Sequence, residues 1–165
     1  MNIDDLLTEK QRYKIIELIL KNDEEFSNLV NSNSDLFYNN YAYNRNSHQH
    51  TYAIISAFNV NTKIEGLGIR EISYGLHTKM VQPELYNENI VMHIYSKDSS
   101  PKSSVKKEYC RRYNSDNNPP IYAYIVFTRD KTGRINNIKL QLLDANANQI
   151  EYFTLYKKLK LHKSA

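Results

Sequence analysis

Apolar residues recur at helical spacing near the start of the chain and at strand spacing near its end. In EKQRYKIIELILK, positions Tyr13, Ile16 and Leu20, with Ile15 and Ile19, make one stripe at a 3.6-residue period. Thr8 and Gln11, three apart, form a capping box at its head. Asn22 is expected to end this helix. A second short helix then begins at Asp23 and faces Phe26, Leu29 and Val30 inward, which gives a helical hairpin over 1–31. A DNA-reading helix-turn-helix is disfavoured, because DEEF places three carboxylates at the start of the second helix.

Residues 31–47 are polar and aromatic and read as a loop, since Asn, Ser and Asp side chains bond nearby backbone. Tyr38, Tyr41 and Tyr43 there either stack on bases or anchor the loop to the domain. From Thr51 the period shortens. Tyr52 to Phe58 is apolar on both faces, as a central strand would be. Ile64 to Leu76 alternates, but Leu67 and Ile69 are out of phase with Ile72, Tyr74 and Leu76. A β-bulge near Arg70 and Glu71 would reconcile them. His77–Glu88 contains Pro83 and reads as a connection with a short strand at Lys79–Val81, and Ile90–Tyr95 as another strand. SVKKEYCRRY, Ser104 to Tyr113, fits a short basic helix within 101–114. The last third predicts a three-stranded meander over 120–160. Gly133 takes the φ > 0 position of the first turn, and Ile138, Leu140 and Leu142 share one face. The expectation is an α+β domain spanning 1–165: an N-terminal helical hairpin, an antiparallel-rich sheet of about six strands (from 51–97 and 120–160) and one inserted basic helix.

A chain of 165 residues with 41% apolar content can bury a core without staples. Its one cysteine, Cys110, forms no internal disulfide, which favours a reducing compartment. MNIDDLLTEK is acidic and lacks the apolar segment of a signal peptide, and no apolar run reaches the ~18 residues of a membrane span. The expectation is a cytoplasmic protein with no membrane partner.

Charge is unevenly laid out. Residues 1–35 carry four basic and eight acidic groups, whereas residues 118–165 carry eight basic and three acidic. KSSVKKEYCRRY contributes Lys102, Lys106, Lys107, Arg111 and Arg112, interleaved with Tyr109 and Tyr113. The tail adds Lys157, Lys158 and Lys160. Cations can neutralise phosphates and tyrosines can stack on exposed bases, so these residues are the candidate binding set. The competing explanation is a solvated face with Glu108 and Arg112 paired at i+4.

Catalytic chemistry finds thinner footing. His48 and His50, two apart ahead of an apolar run, would share a strand face and could grip one metal. His93 and Glu65, Glu84 or Glu88 are candidates to complete the set, and His77 lies elsewhere. Cys110 lies beside Lys106, Lys107, Arg111 and Arg112, whose charge would favour a thiolate, but no spacing identifies a base, and a lone cysteine is usually a small apolar filler. No HExxH, CxxC, GxSxG or phosphate-binding glycine motif is present. A restriction-type nuclease core would need an acidic residue two before Lys97, where Tyr95 stands. No cofactor is expected.

The sequence therefore favours a non-enzymatic binding protein. Its basic face would meet nucleic acid or a nucleoprotein enzyme, for example as a phage or mobile-element inhibitor of a host defence nuclease. The origin is suggested only by abundant Asn (20 residues) and Tyr (14 residues), an association with AT-rich genomes. The alternatives are a metal-dependent phosphodiesterase using His48, His50 and His93, and a structural protein that forms homo-oligomers through a sheet edge or helix face.

Overall fold

The computed structural model describes residues 1–33, 48–74, 80–99, 103–113 and 119–159. They form an α+β fold with one six-stranded sheet and a helical layer on each of its faces. The helices are α1 (Glu9–Ser32), α2 (His48–Ser56) and α3 (Ser103–Tyr113). The strands are β1 (Gly68–Tyr74), β2 (Met80–Tyr86), β3 (Ile90–Ser96), β4 (Ile121–Arg129), β5 (Ile135–Leu143) and β6 (Gln149–Lys157). They stand in sequence order across the sheet. Every neighbouring pair is antiparallel except β3–β4, which is parallel. A parallel pair needs a crossover, and α3 lies in that crossover.

The capping box forms as expected. The Thr8 hydroxyl accepts from the Gln11 N–H at 3.2 Å, and Gln11 Oε1 accepts from the Thr8 N–H at 3.0 Å. The buried Gln11 amide also donates to the Glu65 carbonyl at 3.0 Å, fixing the approach to β1. The expected helical break does not occur: α1 runs unbroken through Asn22 and Asp23. Its buried positions, Ile15, Ile19, Asp23, Ser27 and Val30, continue at helical spacing across that point. One asparagine costs a helix well under about 1 kcal/mol, too little to interrupt a packed stripe.

The partner of α1 is instead α2, in the stretch expected to be a central strand. A run apolar on both sides fits either element, and here the helical alternative holds. His50, Thr51, Ile54, Ile55 and Phe58 are buried at 3.6-residue spacing while Tyr52 is half exposed. The strand count stays near six because Met80–Tyr86, expected to be largely a connection, is a full strand. Its Pro83 lies outside the short ladder to β3, which runs through Leu85 and Tyr86. The bulge expected near Arg70 and Glu71 is absent, since β1 and β2 pair without a break from Gly68–Tyr86 to Tyr74–Met80. The phase shift has a different cause. Both sheet faces are covered: Ile69 packs on one core and Ile72 on the other.

The larger core lies under α1 and α2 and includes Ile15, Ile19, Ile54, Phe58, Ile94, Ile125, Phe127 and Leu140. The smaller lies on the opposite face under α3 and includes Val91, Tyr95, Cys110, Tyr122 and Tyr124. The meander of β4 to β6 matches expectation. Gly133 has φ 81°, and the Asp130 carboxylate caps that turn by accepting from the backbone of Thr132 and Arg134. Asp144 caps the next turn in the same way through Asn146 and Asn148. Extra residues at Ile150 and Leu155 put two bulges in β6, the outer strand.

Candidate functional site

Two buried polar clusters and one basic surface carry the chemically active side chains. The first cluster joins the two helices of the larger core to the end of β4. Asp23 Oδ1 lies 2.5 Å from His50 Nε2 and 2.8 Å from Arg129 Nη1. Arg129 Nη1 also donates to the Gly133 carbonyl at 2.9 Å, and Phe26 packs edge-on against the imidazole at 5.0 Å. Burial pushes the Asp23 carboxyl up. The His50 hydrogen bond and the Arg129 charge outweigh it and hold the group below its ordinary value. An ionised carboxylate accepts, so His50 donates from Nε2. Sequence reading took Asp23 for a helix cap and missed this role. The signal available was its place on the same stripe as Ile15 and Ile19.

The second cluster lies on the other face. Arg70 Nε donates to Glu84 Oε1 at 2.6 Å, and Glu84 Oε2 lies 2.7 Å from His93 Nε2. His93 Nδ1 lies 2.6 Å from the Tyr122 hydroxyl. The Glu84 carboxylate takes the Nε2–H, and in a neutral imidazole Nδ1 then accepts from Tyr122. Alongside, Tyr95 donates to Gln82 Oε1 at 2.9 Å, and the rings of Tyr95, Tyr122 and Tyr124 meet edge to face. Glu84 and His93 are fully buried. Register explains the convergence: Arg70 faces Glu84 across β1–β2, and His93 and Tyr122 lie on the same face of the neighbouring strands β3 and β4.

These positions bear on the metal alternative. His50 belongs to the α1–α2 side of the sheet and His93 to the α3 side, so the two do not converge. His48 and His50 are on a helix, where positions two apart lie on opposite sides and not on one face. The His48 side chain and all of His77 lie outside the described residues. Among the described residues no group of three His, Cys, Asp or Glu side chains could hold a metal ion. Both ring nitrogens of His93 are already engaged.

Cys110 is an apolar filler of the smaller core, not an activated thiol. The thiol is buried against Tyr122 and Tyr124, and burial, with the charge of Asp144, pushes its pKa to about 11. In the folded protein at pH 7.5, iodoacetamide is expected to label Cys110 at least tenfold more slowly than a free cysteine. The measurement is mass-spectrometric labelling kinetics with and without urea. Equal rates in both conditions would contradict the buried thiol.

The basic surface takes its order from the strands. Three rows cross β4, β5 and β6 on the α3 side: Tyr124–Gln141–Tyr152, Val126–Lys139–Thr154 and Thr128–Asn137–Lys157. Lys139 Nζ lies 4.5 Å from the Tyr152 ring centroid, and Tyr152 is 52% exposed. From α3, Lys106 Nζ sits 5.4 Å above the Tyr124 ring, and Lys107 and Arg111 are exposed. Arg111 is bound to Glu108, both oxygens at 2.9 Å. Glu151, the one acidic residue within β4–β6, pairs with Leu142 and belongs to the opposite face. Lys157 and Lys158 are exposed at the end of β6. Lys102 and Lys160, and the side chains of Tyr109, Arg112 and Tyr113, lie outside the described residues. Sequence reading missed Lys139 and Tyr152, whose alternation in adjacent strands was the available signal.

No helix among the described residues is long and apolar enough to cross a membrane. No protein-family model, curated protein or solved structure matches the chain.

Proposed function

We propose that this is a non-enzymatic binding protein whose α3-side face contacts nucleic acid or a nucleoprotein. The observation that carries the reading is the sorting of charge by sheet face. Lys106, Lys139 and Lys157 stand on the α3 side, while Glu151, the acidic residue in strands β4, β5 and β6, belongs to the other face. Such a cationic surface attracts a polyanion. The exposed Tyr152 ring adds a stacking platform beside a cation. A host defence nuclease held off by a phage or mobile-element protein is a narrower form of the same reading. For the homo-oligomer alternative, the two bulges blunt β6 as a pairing edge, which leaves β1 and the helix faces as the surfaces it would use.

The test is fluorescence anisotropy with a labelled single-stranded oligonucleotide and a duplex, titrated with salt. Each phosphate contact contributes about 0.7 to the log–log salt slope on single strands and about 0.9 on duplex. The variant Lys106→Glu/Lys107→Glu/Lys139→Glu/Lys157→Glu is expected to remove measurable binding, and the single Lys139→Ala to lower the slope by about one contact. Identical slopes for wild type and the quadruple variant would overturn the proposal.

A further inference from the structure

The cluster of Asp23, His50 and Arg129 holds more hydrogen-bonding capacity than its members use. Arg129 commits Nη1 to Asp23 and the Gly133 carbonyl. Its Nε and Nη2 are buried without a partner, on a side chain only 2% exposed. Those two N–H groups form one edge of the guanidinium, with parallel donors spaced to meet the two oxygens of a carboxylate or phosphate. A buried donor left unmade costs about 1–3 kcal/mol, so an arrangement that strands both is in need of an acceptor.

Two further polar atoms on the helices that carry Asp23 and His50 are buried and unpartnered: Asn22 Nδ2 on α1 and Thr51 Oγ1 on α2. All these nitrogens are donors, and the hydroxyl can donate. Asp23 is already engaged by His50 and Arg129 and does not supply what they lack. Thr51 is in the first turn of α2, a nine-residue helix, and the positive end of a helix favours negative charge.

The geometry points to an oxyanion site at the meeting of α1, α2 and the end of β4. There the Nε–Nη2 edge of Arg129 grips a carboxylate or phosphate group, and Asn22 and Thr51 supply additional hydrogen bonds. The site lies on the α1–α2 side of the sheet, away from the basic face, and is independent of the nucleic-acid reading.

Thermal unfolding of the full chain, titrated with inorganic phosphate, acetate or chloride at constant ionic strength, tests it. Phosphate or acetate is expected to give a saturable rise of roughly 3–5 °C in melting temperature, and chloride none. The stronger of the two oxyanions identifies the group recognised. Asn22→Ala and Thr51→Val remove unpartnered donors, so they are expected to keep the melting temperature in chloride yet weaken oxyanion affinity by about fivefold. Arg129→Lys keeps the positive charge but lacks the fork, and is expected to abolish the saturable rise. If Arg129→Lys does not fold, the Asn22 and Thr51 variants decide the matter. A linear rise identical in wild type and both of those variants, or no rise at all, would overturn the site.

Discussion

Replacing Asp23 with alanine is expected to lower the unfolding free energy by about 3–5 kcal/mol, the range for removing one partner of a buried ion pair. The carboxylate sits between His50 at 2.5 Å and Arg129 at 2.8 Å. Its loss leaves a fully charged guanidinium in the layer between α1, α2 and β4 with only the Gly133 carbonyl to hold it. Most of the cost is that abandoned charge, not the attraction itself. The double variant Asp23→Leu/Arg129→Met removes both ions and is therefore expected to be more stable than Asp23→Ala, although one substitution more has been made. Urea unfolding of the three proteins measures the order. A double variant no better than the single one would mean that packing, and not charge, sets the loss.

The same residue gives a pH dependence with a definite sign. The Asp23 value is held below the ordinary 3.8 in the folded state. The unfolded chain therefore binds this proton first as pH falls. The stabilisation is complete above the ordinary carboxylate value. It shrinks as pH drops below 3.8 and is gone once pH passes below the folded-state value. The gap between wild type and Asp23→Ala should be flat from neutrality down to about pH 5 and close below that.

What the sequence made legible follows from how local each signal is. The capping box at Thr8 and Gln11, the Gly133 turn and the meander each depend on residues a few positions apart, and all three are present. The basic helix was legible for the same reason. Tyr52–Phe58 was not, because a short apolar run fits a strand or a helix equally well, and burial against α1 decided the matter. The mismatch between Ile69 and Ile72 looked like a bulge only while one sheet face was assumed to be wet. The polar clusters were out of reach for a further reason. His93 and Tyr122 are 29 positions apart, and His50 and Asp23 are 27 apart. Only strand register and helix packing bring such pairs together. His48 and His50 drew attention as a motif, yet spacing acquires chemical meaning only once the element type is known. On a strand two residues apart means one face, and on a helix it does not.

Glu84→Gln is the second substitution expected to act strongly, at about 3 kcal/mol, because an amide cannot satisfy both neighbours of this buried carboxylate. Glu84 accepts from Arg70 Nε on one oxygen and from His93 Nε2 on the other. A glutamine oriented to accept from His93 turns its NH2 toward the Arg70 donor. Turned the other way, it accepts from Arg70 and sets its NH2 against His93 Nε2. That forces the imidazole proton to Nδ1 and reverses the Tyr122 bond, whose hydroxyl must then accept from Nδ1–H. The first orientation sets two donors against each other, and the second requires the whole His93–Tyr122 proton order to reverse. Arg70→Gln is the contrasting change. It removes the other end of the ion pair, but Arg70 is 44% exposed and the glutamine amide still offers a donor to the buried Glu84 carboxylate, so the expected cost is smaller, about 1–2 kcal/mol. The ranking Glu84→Gln above Arg70→Gln, read from urea midpoints at pH 7, separates a network held by hydrogen-bond direction from one held by the ion pair. Replacing Glu84 and His93 together by Leu and Phe is expected to recover part of the loss, since an apolar filling leaves fewer polar atoms unmet. If Glu84→Gln unfolds at the wild-type midpoint, the carboxylate is not the acceptor that fixes His93, and the proton order assigned to Nε2 and Nδ1 falls with it.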